Sequence, residues 1–563
     1  MKEKLCFLCV YMFEKKSLNL LLETPENHFF INEIAMIKKF NDVGLCFPED
    51  HFMADVSKKV EATYKMIEEG AYFIINRPRQ YGKTTLLYTL SEQLRMSEDY
   101  LPFSMSFEGI SEYNFLDETH FATGFVRLLA KSLNYFAPEK SAEILALGAD
   151  VKNFDDLSNF VTNLVVKLDK KLVLLIDEVD KSSNNQLFVS FLAFLRDKYL
   201  NRKRDKTFHA VVLAGVHDVK SLKLKIRPES ESKYNSPWNI STEFEVNMHL
   251  TVDEIKPMLE DYAQERGVKM DTQWVANRLF FLTSGYPYLV SKLCKILDEK
   301  ILPTKNVKEW TEEDLNKAVQ AIMREAHNAN FDTLIKNLEE YPDLNQLVFS
   351  IIFESDKKDF NHLDPLVSLG ILHGILAGSE GGYLVIHNRI YRELIAGVMI
   401  SKWERSHLGN LHLVSEGFDF RGSYRLPNGG LDMEKLLSNF QVFMRQNHSN
   451  KNSRFLERDG TLLFLAFLRP ILNGSGFEFK EPQISDEKRL DIVITYNQFK
   501  YITELKVWYG QVAHQKGLAQ LVDYLDRQNL DTGYLLIFDP SKKKIWKKDW
   551  IEEGGKHILV VRV

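Results

Sequence analysis

Asn76-Arg77-Pro78-Arg79-Gln80-Tyr81-Gly82-Lys83-Thr84-Thr85 is the first stretch whose residue types and spacing could do chemistry. It follows an apolar run at residues 71–75 that reads as a buried strand, and residues 86–90 read as a helix start. Strand, loop, Gly-Lys-Thr and helix together form the context of a phosphate-binding loop. Backbone N–H groups at the helix N-terminus and the lysine charge both favour a bound polyphosphate. Lys83 would reach the β- and γ-phosphates, and the Thr84 hydroxyl would ligate magnesium. Arg77 stands where the usual pattern begins with glycine, so the pattern is incomplete by itself. A bare Gly-Lys-Thr also occurs at ordinary helix starts.

The second arrangement lies downstream. Residues 171–180 form an apolar run that ends in Asp177, Glu178 and Asp180. A fully buried parallel strand has this composition, with its carboxyl end at a ligand crevice. Asp177 would hold magnesium through water, as a Walker-B acid does, and Glu178 would polarise the attacking water as general base. The bland alternative is an internal strand that ends at a polar turn. Both motifs, in this order and context, point to ATP with Mg2+ as the ligand pair.

The third arrangement is near the C-terminus. Asp491 opens Asp491-Ile492-Val493-Ile494, and Glu504 and Lys506 sit within residues 501–507. Strand period two puts Glu504 and Lys506 on one face, with Leu505 buried behind. A turn near residues 496–498 can bring Asp491 beside Glu504, making a hard-oxygen magnesium site with a lysine that orients the attacking water. Metal-assisted phosphodiester hydrolysis needs such a set. Taken alone, Glu-x-Lys on a strand is more often a solvated face. Gln520 and Tyr524, four apart, share one face of a helix.

These residues need elements to position them. Helical spacing marks residues 121–133, 153–168 and 186–199, and residues 208–215 read as a further buried strand. Residues 36–249 are expected to form an α/β nucleotide-binding core, and residues 250–330 a helical lid. Thr251-Val252-Asp253-Glu254 is a capping box, and Thr311 caps a second lid helix. Residues 331–405 read as short helices followed by a hairpin at Gly381-Gly382, the outline of a winged helix. Residues 406–435 read as a linker. Residues 436–563 form a second α/β unit, with a helix at 455–472, strands at 477–480, 490–496 and 499–507, a helix, and a strand at 533–539.

The stretch Arg79-Gln80-Tyr81-Gly82-Lys83-Thr84-Thr85, followed by Leu175-Ile176-Asp177-Glu178-Val179-Asp180, resembles bacterial AAA-like ATPases of the STAND and archaeal-ATPase type. Phe40-Asn41, His51-Phe52-Met53-Ala54-Asp55, Ala214-Gly215-Val216-His217-Asp218, Ser236-Pro237-Trp238-Asn239-Ile240 and Gly285-Tyr286-Pro287 fit the same group. Arginine in place of the first glycine is usual there. The resemblance covers roughly residues 36–300. It implies nucleotide contacts from Arg79 through Thr85, a γ-phosphate sensor at His217 or Asp218, and a lid that rocks on the core. Arg227 could contact phosphate, although a solvated loop arginine is the plainer reading. Residues 450–540 resemble the PD-(D/E)XK nuclease fold, and Gln520 with Tyr524 resembles its RecB-like branch. That resemblance implies catalytic roles for Asp491, Glu504, Lys506, Gln520 and Tyr524, with Glu457 as an extra metal-side acid. Leu490 stands where the family name has proline.

The chain has 563 residues, 45% hydrophobic and 27% charged, with a net charge of −6. The length suits several domains. The charge excludes a globally basic nucleic-acid coat but not a local basic groove. Lys542, Lys543, Lys544, Lys547 and Lys548 form one basic cluster, for which a solvated surface run is the bland reading. Cys6, Cys9, Cys46 and Cys294 are scattered without zinc spacing and read as reduced thiols. No apolar run reaches the ~18 residues of a membrane span. Residues 1–35, with Lys2, Lys4 and a short apolar run, are an extension or a misassigned start.

The expectation is a cytoplasmic ATPase fused to a magnesium-dependent nuclease acting on nucleic acid, DNA before RNA, with defence against foreign DNA as a setting by analogy. A homo-oligomer is compatible with it. The competing expectation is a nucleotide-dependent switch or scaffold whose C-terminal domain binds nucleic acid or protein without cutting. An esterase or transferase lacks its Gly-x-Ser-x-Gly elbow here.

Overall fold

A computed structural model describes residues 38–179, 186–215, 240–353, 358–407, 424–446, 457–472, 492–496, 499–508, 510–539, 541 and 545–563. Strands β1 (Tyr72–Asn76), β2 (Tyr100–Ser106), β3 (Lys171–Asp177) and β4 (Ala210–Gly215) form a parallel sheet in the order β1-β4-β3-β2. β3 and β4 are buried almost end to end, as a parallel sheet covered on both faces requires. Alternate residues serve opposite cores. Phe73, Ile75, Val173 and Val212 enter the core that continues into the helices of residues 252–323. Tyr72, Ile74, Leu172, Leu174 and Leu213 enter a separate core.

Local signals set the helices that cover the sheet. Helix Lys83–Arg95 follows the loop directly, with Gly82 at φ 80° as its N-cap. The Asp117 side chain caps helix Glu118–Leu133, and the Asn153 side chain caps helix Phe154–Leu168. Helix Gln186–Asn201 contributes Phe188, Phe191 and Leu195 to the second core.

The expected lid is helical: Val252–Arg266, Thr272–Thr283, Pro287–Ile296 and Glu312–Met323. Thr251 with Glu254, and Thr311 with Asp314, form reciprocal capping boxes. Gly285 has φ +71°, and a Cβ there would lie 2.0 Å from the Leu250 carbonyl oxygen. Leu250 N–H in turn donates to Gly285 O at 2.8 Å. Only glycine permits both the left-handed conformation and the approach.

Three helices, Ala329–Glu340, Pro342–Phe353 and Pro365–Leu372, precede an antiparallel pair, β5 (Leu376–Gly378) and β6 (Leu384–Ile386). Helix Arg389–His407 then runs into the stretch expected as a linker, and helix Met433–Gln446 begins inside it.

The C-terminal unit has helix Glu457–Leu472, β7 (Ile492–Tyr496), β8 (Phe499–Val507), helix Gln511–Arg527, β9 (Thr532–Phe538), β10 (Lys547–Glu553) and β11 (Lys556–Arg562). Its sheet order is β10-β11-β9-β8-β7. β7 and β8 are antiparallel, and β9 returns parallel to β8 after the crossover helix. Helices Met433–Gln446 and Glu457–Leu472 share a core with Ile492, Ile494, Leu505, Leu536 and Phe538. Helix Gln511–Arg527 covers the other face, against Val493, Ile502, Leu535 and Ile537. The hairpin β10–β11 extends the expected order and places Lys547 and Lys548 in a strand, where both stay exposed. The strand expected at 477–480 lies outside the described residues.

Candidate nucleotide site and C-terminal carboxylate face

β1 delivers the loop to the carboxyl edge of the sheet, and Gly82 turns it into the helix at a left-handed φ. Lys83 Nζ donates to the carbonyls of Arg77 and Pro78 at 2.9 and 2.8 Å, so the ammonium is held in the mouth of the loop. Arg77 faces away. Its guanidinium donates to Asn76 O at 2.8 Å and Val246 O at 3.1 Å and lies 5.5 Å from the Phe244 ring centre. An arginine is tolerated at the first-glycine position because its side chain leaves the loop and ties down residues 244–246.

β3 brings the acidic pair to the same edge. Thr84 Oγ1 donates to Asp177 Oδ2 at 2.6 Å, and Asp177 Oδ1 accepts from Glu178 N–H at 2.9 Å. Glu178 sits at φ +53°, a conformation uncommon for a residue with a side chain. Asp177 is buried and Glu178 half-buried. Thr84 and Asp177 offer adjacent hard oxygens, which fits magnesium beside a bound polyphosphate.

A cleft of about 160 Å³ adjoins Gly82 and Thr85. Phe52, Ala54, Leu86, Met248, Met258 and Pro287 are among its walls. An apolar cleft opening beside a phosphate loop is shaped for a nucleobase. Thr85 Oγ1 accepts from Cys46 N–H at 3.4 Å, which ties the segment before helix Ser57–Glu68 to the loop.

The loop is also clasped from its other side. Asn330 Nδ2 donates to Gln80 Oε1 at 2.9 Å, and Tyr391 Oη donates to Asn330 Oδ1 at 2.6 Å. Tyr286 Oη donates to Arg79 O at 2.7 Å. The Tyr81 hydroxyl lies 2.5 Å from His249 Nδ1 and 2.9 Å from His387 Nε2. Burial, with the charges of Arg77 and Lys59, pulls His249 down to about 4. Burial and the adjacent His249 pull His387 down to about 3. Both rings are therefore neutral at pH 7. Asn388 Oδ1 accepts from Tyr391 N–H at 2.9 Å, which turns its amide nitrogen to His387 Nδ1 at 3.2 Å. The network thus assigns the His387 proton to Nε2, which donates to Tyr81, and Tyr81 donates to His249.

At the C-terminal sheet, Glu504 and Lys506 share the face covered by helix Gln511–Arg527. Lys506 Nζ and Glu504 Oε1 form an ion pair at 2.9 Å, with the Glu504 side chain 0% exposed and Lys506 25% exposed. A Cβ at Gly517 would lie 3.2 Å from Lys506 Cγ, so the helix packs on the lysine stem. Tyr524 packs on the apolar cluster beneath that helix, and Gln520 is half-buried on it. Beyond Lys506, Asp539 accepts from Arg562 Nη2 at 2.8 Å. The guanidinium carbon of Arg562 lies 3.9 Å from the Trp508 ring centre.

A profile of the AAA-like domain family matches residues 51–394. The chain belongs to the AAA-like domain family. No curated protein sequence matches it. Among solved structures, it is similar to the Walker-type ATPase of Pyrococcus abyssi, with 12% identity, TM-score 0.42, and coverage of 63% of this chain and 99% of that one. It is similar to the Aeropyrum pernix ORC2 protein, with 13% identity, TM-score 0.35, and coverage of 62% and 93%. It is also similar to a Thermotoga maritima RuvB variant, with 16% identity, TM-score 0.33, and coverage of 61% and 95%.

The AAA-like portion therefore joins Arg79, Gln80, Tyr81, Gly82, Lys83, Thr84, Thr85, Asp177 and Glu178 at one sheet edge. His217, Asp218, Arg227 and Asp491 lie outside the described residues, and Glu457 opens its helix with a side chain outside them. Among the described residues, no three His, Cys, Asp or Glu side chains gather as a metal group. The expected magnesium set of Asp491, Glu504 and Glu457 therefore has one described side chain, Glu504. Sequence reasoning missed His249, Asn330, His387 and Tyr391. His249, Asn330 and His387 reach the loop from 168 to 306 residues away, Tyr391 holds Asn330, and no local motif marks them. Among the described residues no helix is long and apolar enough to cross a membrane.

Proposed function

We propose that the chain binds and hydrolyses ATP with magnesium, and that nucleotide state governs a nuclease activity of its C-terminal domain on DNA in the cytoplasm. The 2.6 Å contact between Thr84 and Asp177 carries the first half, because it unites the two halves of a nucleotide site. Thr84 and Asp177 would hold the magnesium, which supplies charge neutralisation at the phosphates when bound. Lys83 binds the polyphosphate, Glu178 takes the proton of the attacking water, and the apolar cleft receives the base. The clasp ties Gln80 and Tyr81 to residues 249, 330 and 387, and helix Arg389–His407, which follows them, packs on helix Glu457–Leu472 of the C-terminal domain, which supports the coupling. Any shift of the loop on binding strains hydrogen bonds to residues 249, 330 and 387.

The nuclease reading is supported by the order β7, β8, crossover helix, β9, and by Glu504 beside Lys506 under the helix that bears Gln520 and Tyr524. Lys506 would orient water or phosphate. The alternative, a nucleotide-dependent switch that binds without cutting, is favoured by one observation. Glu504 is fully buried, with Lys506 turned onto it rather than outward.

The deciding experiment measures ATP hydrolysis and DNA cleavage by the whole chain, beside Lys83→Ala and Lys506→Ala. Cleavage that requires Lys506 and responds to ATP supports the gated nuclease. ATP hydrolysis without cleavage on linear, circular or single-stranded DNA supports the switch. Unchanged ATP binding by Lys83→Ala would overturn both.

A further inference from the structure

β10 is the outermost strand of the C-terminal sheet. It pairs with β11 on one side, and among the described residues no strand pairs with it on the other. An open edge presents N–H and C=O groups that another strand can use. The seven residues of β10 read Lys547-Lys548-Asp549-Trp550-Ile551-Glu552-Glu553. The two residues at each end are antisymmetric in charge about Trp550, two cations against two anions, while Asp549 has Ile551 as its counterpart.

That arrangement is self-complementary in one orientation. Laid antiparallel on a second copy about Trp550, Lys547 faces Glu553 and Lys548 faces Glu552, and the same pairs recur across the dyad. A register shifted by two residues in one direction sets Asp549 against Glu553. The opposite shift sets Asp549 against Asp549. Parallel pairing in register sets every charge against its like. Lysines alone would suffice to guard an edge from aggregation, and guarding needs no opposite charge at the far end.

The side chains are exposed, and the proposed pairing would draw Lys547 from Asp549 at 2.8 Å, Lys548 from Glu434 at 2.9 Å and Glu552 from His557 at 3.5 Å. Lys547 and Lys548 are 68% and 37% exposed, and Glu552 is 78% exposed. Trp550, at the centre, is 47% exposed. Its indole N–H donates to Glu434 Oε2 at 3.1 Å, which holds the ring against helix Met433–Gln446. Two such rings meet at the dyad.

We propose that β10 is a homodimerisation edge. Two copies pair β10 antiparallel about Trp550, and one continuous sheet runs through both C-terminal domains. The interface is isologous: Lys547 and Lys548 of each copy meet Glu553 and Glu552 of the other, and Asp549 faces Ile551. The pairing requires neither nucleotide nor nuclease activity.

Sedimentation equilibrium of the full chain tests it with charge-reversed pairs. K547E/K548E and E552K/E553K should each be monomeric, because each opposes like charges at both ends. Their equimolar mixture should restore the dimer as a heterodimer. Lys548 also bonds Glu434, so a second set, K547E and E553K, leaves that contact intact and should behave in the same way with a smaller loss. Circular dichroism confirms that each variant is folded. A wild-type monomer at every soluble concentration overturns the proposal. So do folded variants that remain dimeric alone, or a mixture that fails to pair.

Discussion

The hydroxyl of Tyr81 lies 2.9 Å from Nε2 of His387, which joins the phosphate loop to the residue that follows β6. The same hydroxyl serves His249, so one oxygen pins the loop to two other segments. Tyr81→Phe removes it and leaves a buried N–H and a buried ring nitrogen without their partner. The expected cost is about 1–3 kcal/mol of stability. Nucleotide release should quicken, because the loop is no longer tied. Stopped-flow release of a fluorescent ATP analogue reads this directly, and wild-type release rates in the variant would refute the clasp.

The same histidines predict an acid-sensitive clasp. Their folded values of about 4 and about 3 lie below the ordinary imidazole value of 6.5. Below pH 6.5 the unfolded chain takes up protons that the folded rings refuse, so their contribution to stability falls as pH drops toward the folded values. By pH 5 each ring should have lost on the order of 2 kcal/mol. Urea unfolding at pH 7 and pH 5 checks this. His387→Gln should show a shallower acid loss than wild type, and equal slopes would count against it.

At the nucleotide site, binding and hydrolysis should separate. Lys83→Ala should lose ATP-induced thermal stabilisation. Glu178→Gln should keep it while hydrolysis falls by roughly 10²–10⁴-fold, the usual worth of a general base. A Glu178→Gln protein that hydrolyses ATP normally would move the base elsewhere.

At the C-terminal sheet, structural and catalytic roles can be told apart. Lys506→Met strips the cation from a fully buried carboxylate, and about 3–5 kcal/mol should be lost. Glu504→Gln combined with Lys506→Met removes both charges and should recover most of that stability. Neither protein should cleave DNA. Cleavage by the double variant would exclude the nuclease assignment for this pair.

Much of this was legible in the sequence because it is local. The runs ending at Asn76 and Asp177 are apolar strands, and Gly82, Thr251 and Thr311 mark helix starts by their own side chains or backbone freedom. Strand alternation placed Glu504 with Lys506. The clasp was not legible. Asn330 and Gln80 are 250 residues apart, and nothing near either names the other. Their contact follows from how the helices after residue 250 fold back on the sheet. The β10–β11 hairpin was obscured by its lysines and glutamates, which read as solvated charge although they alternate between the two faces of an edge strand.

Among the described residues one apolar core holds Phe40, just before the AAA-like match, and Val563 alike. Helix Glu457–Leu472 belongs to it together with helix Arg389–His407, so the seam is greasy rather than wet. A chain built this way resists being cut into modules. A truncation before residue 433 would uncover the faces of helices Pro342–Phe353 and Arg389–His407 that pack on helix Glu457–Leu472, and the fragment would be prone to aggregate. An exchange of the C-terminal domain would have to carry a matching face for helix Arg389–His407, because that helix packs on helix Glu457–Leu472.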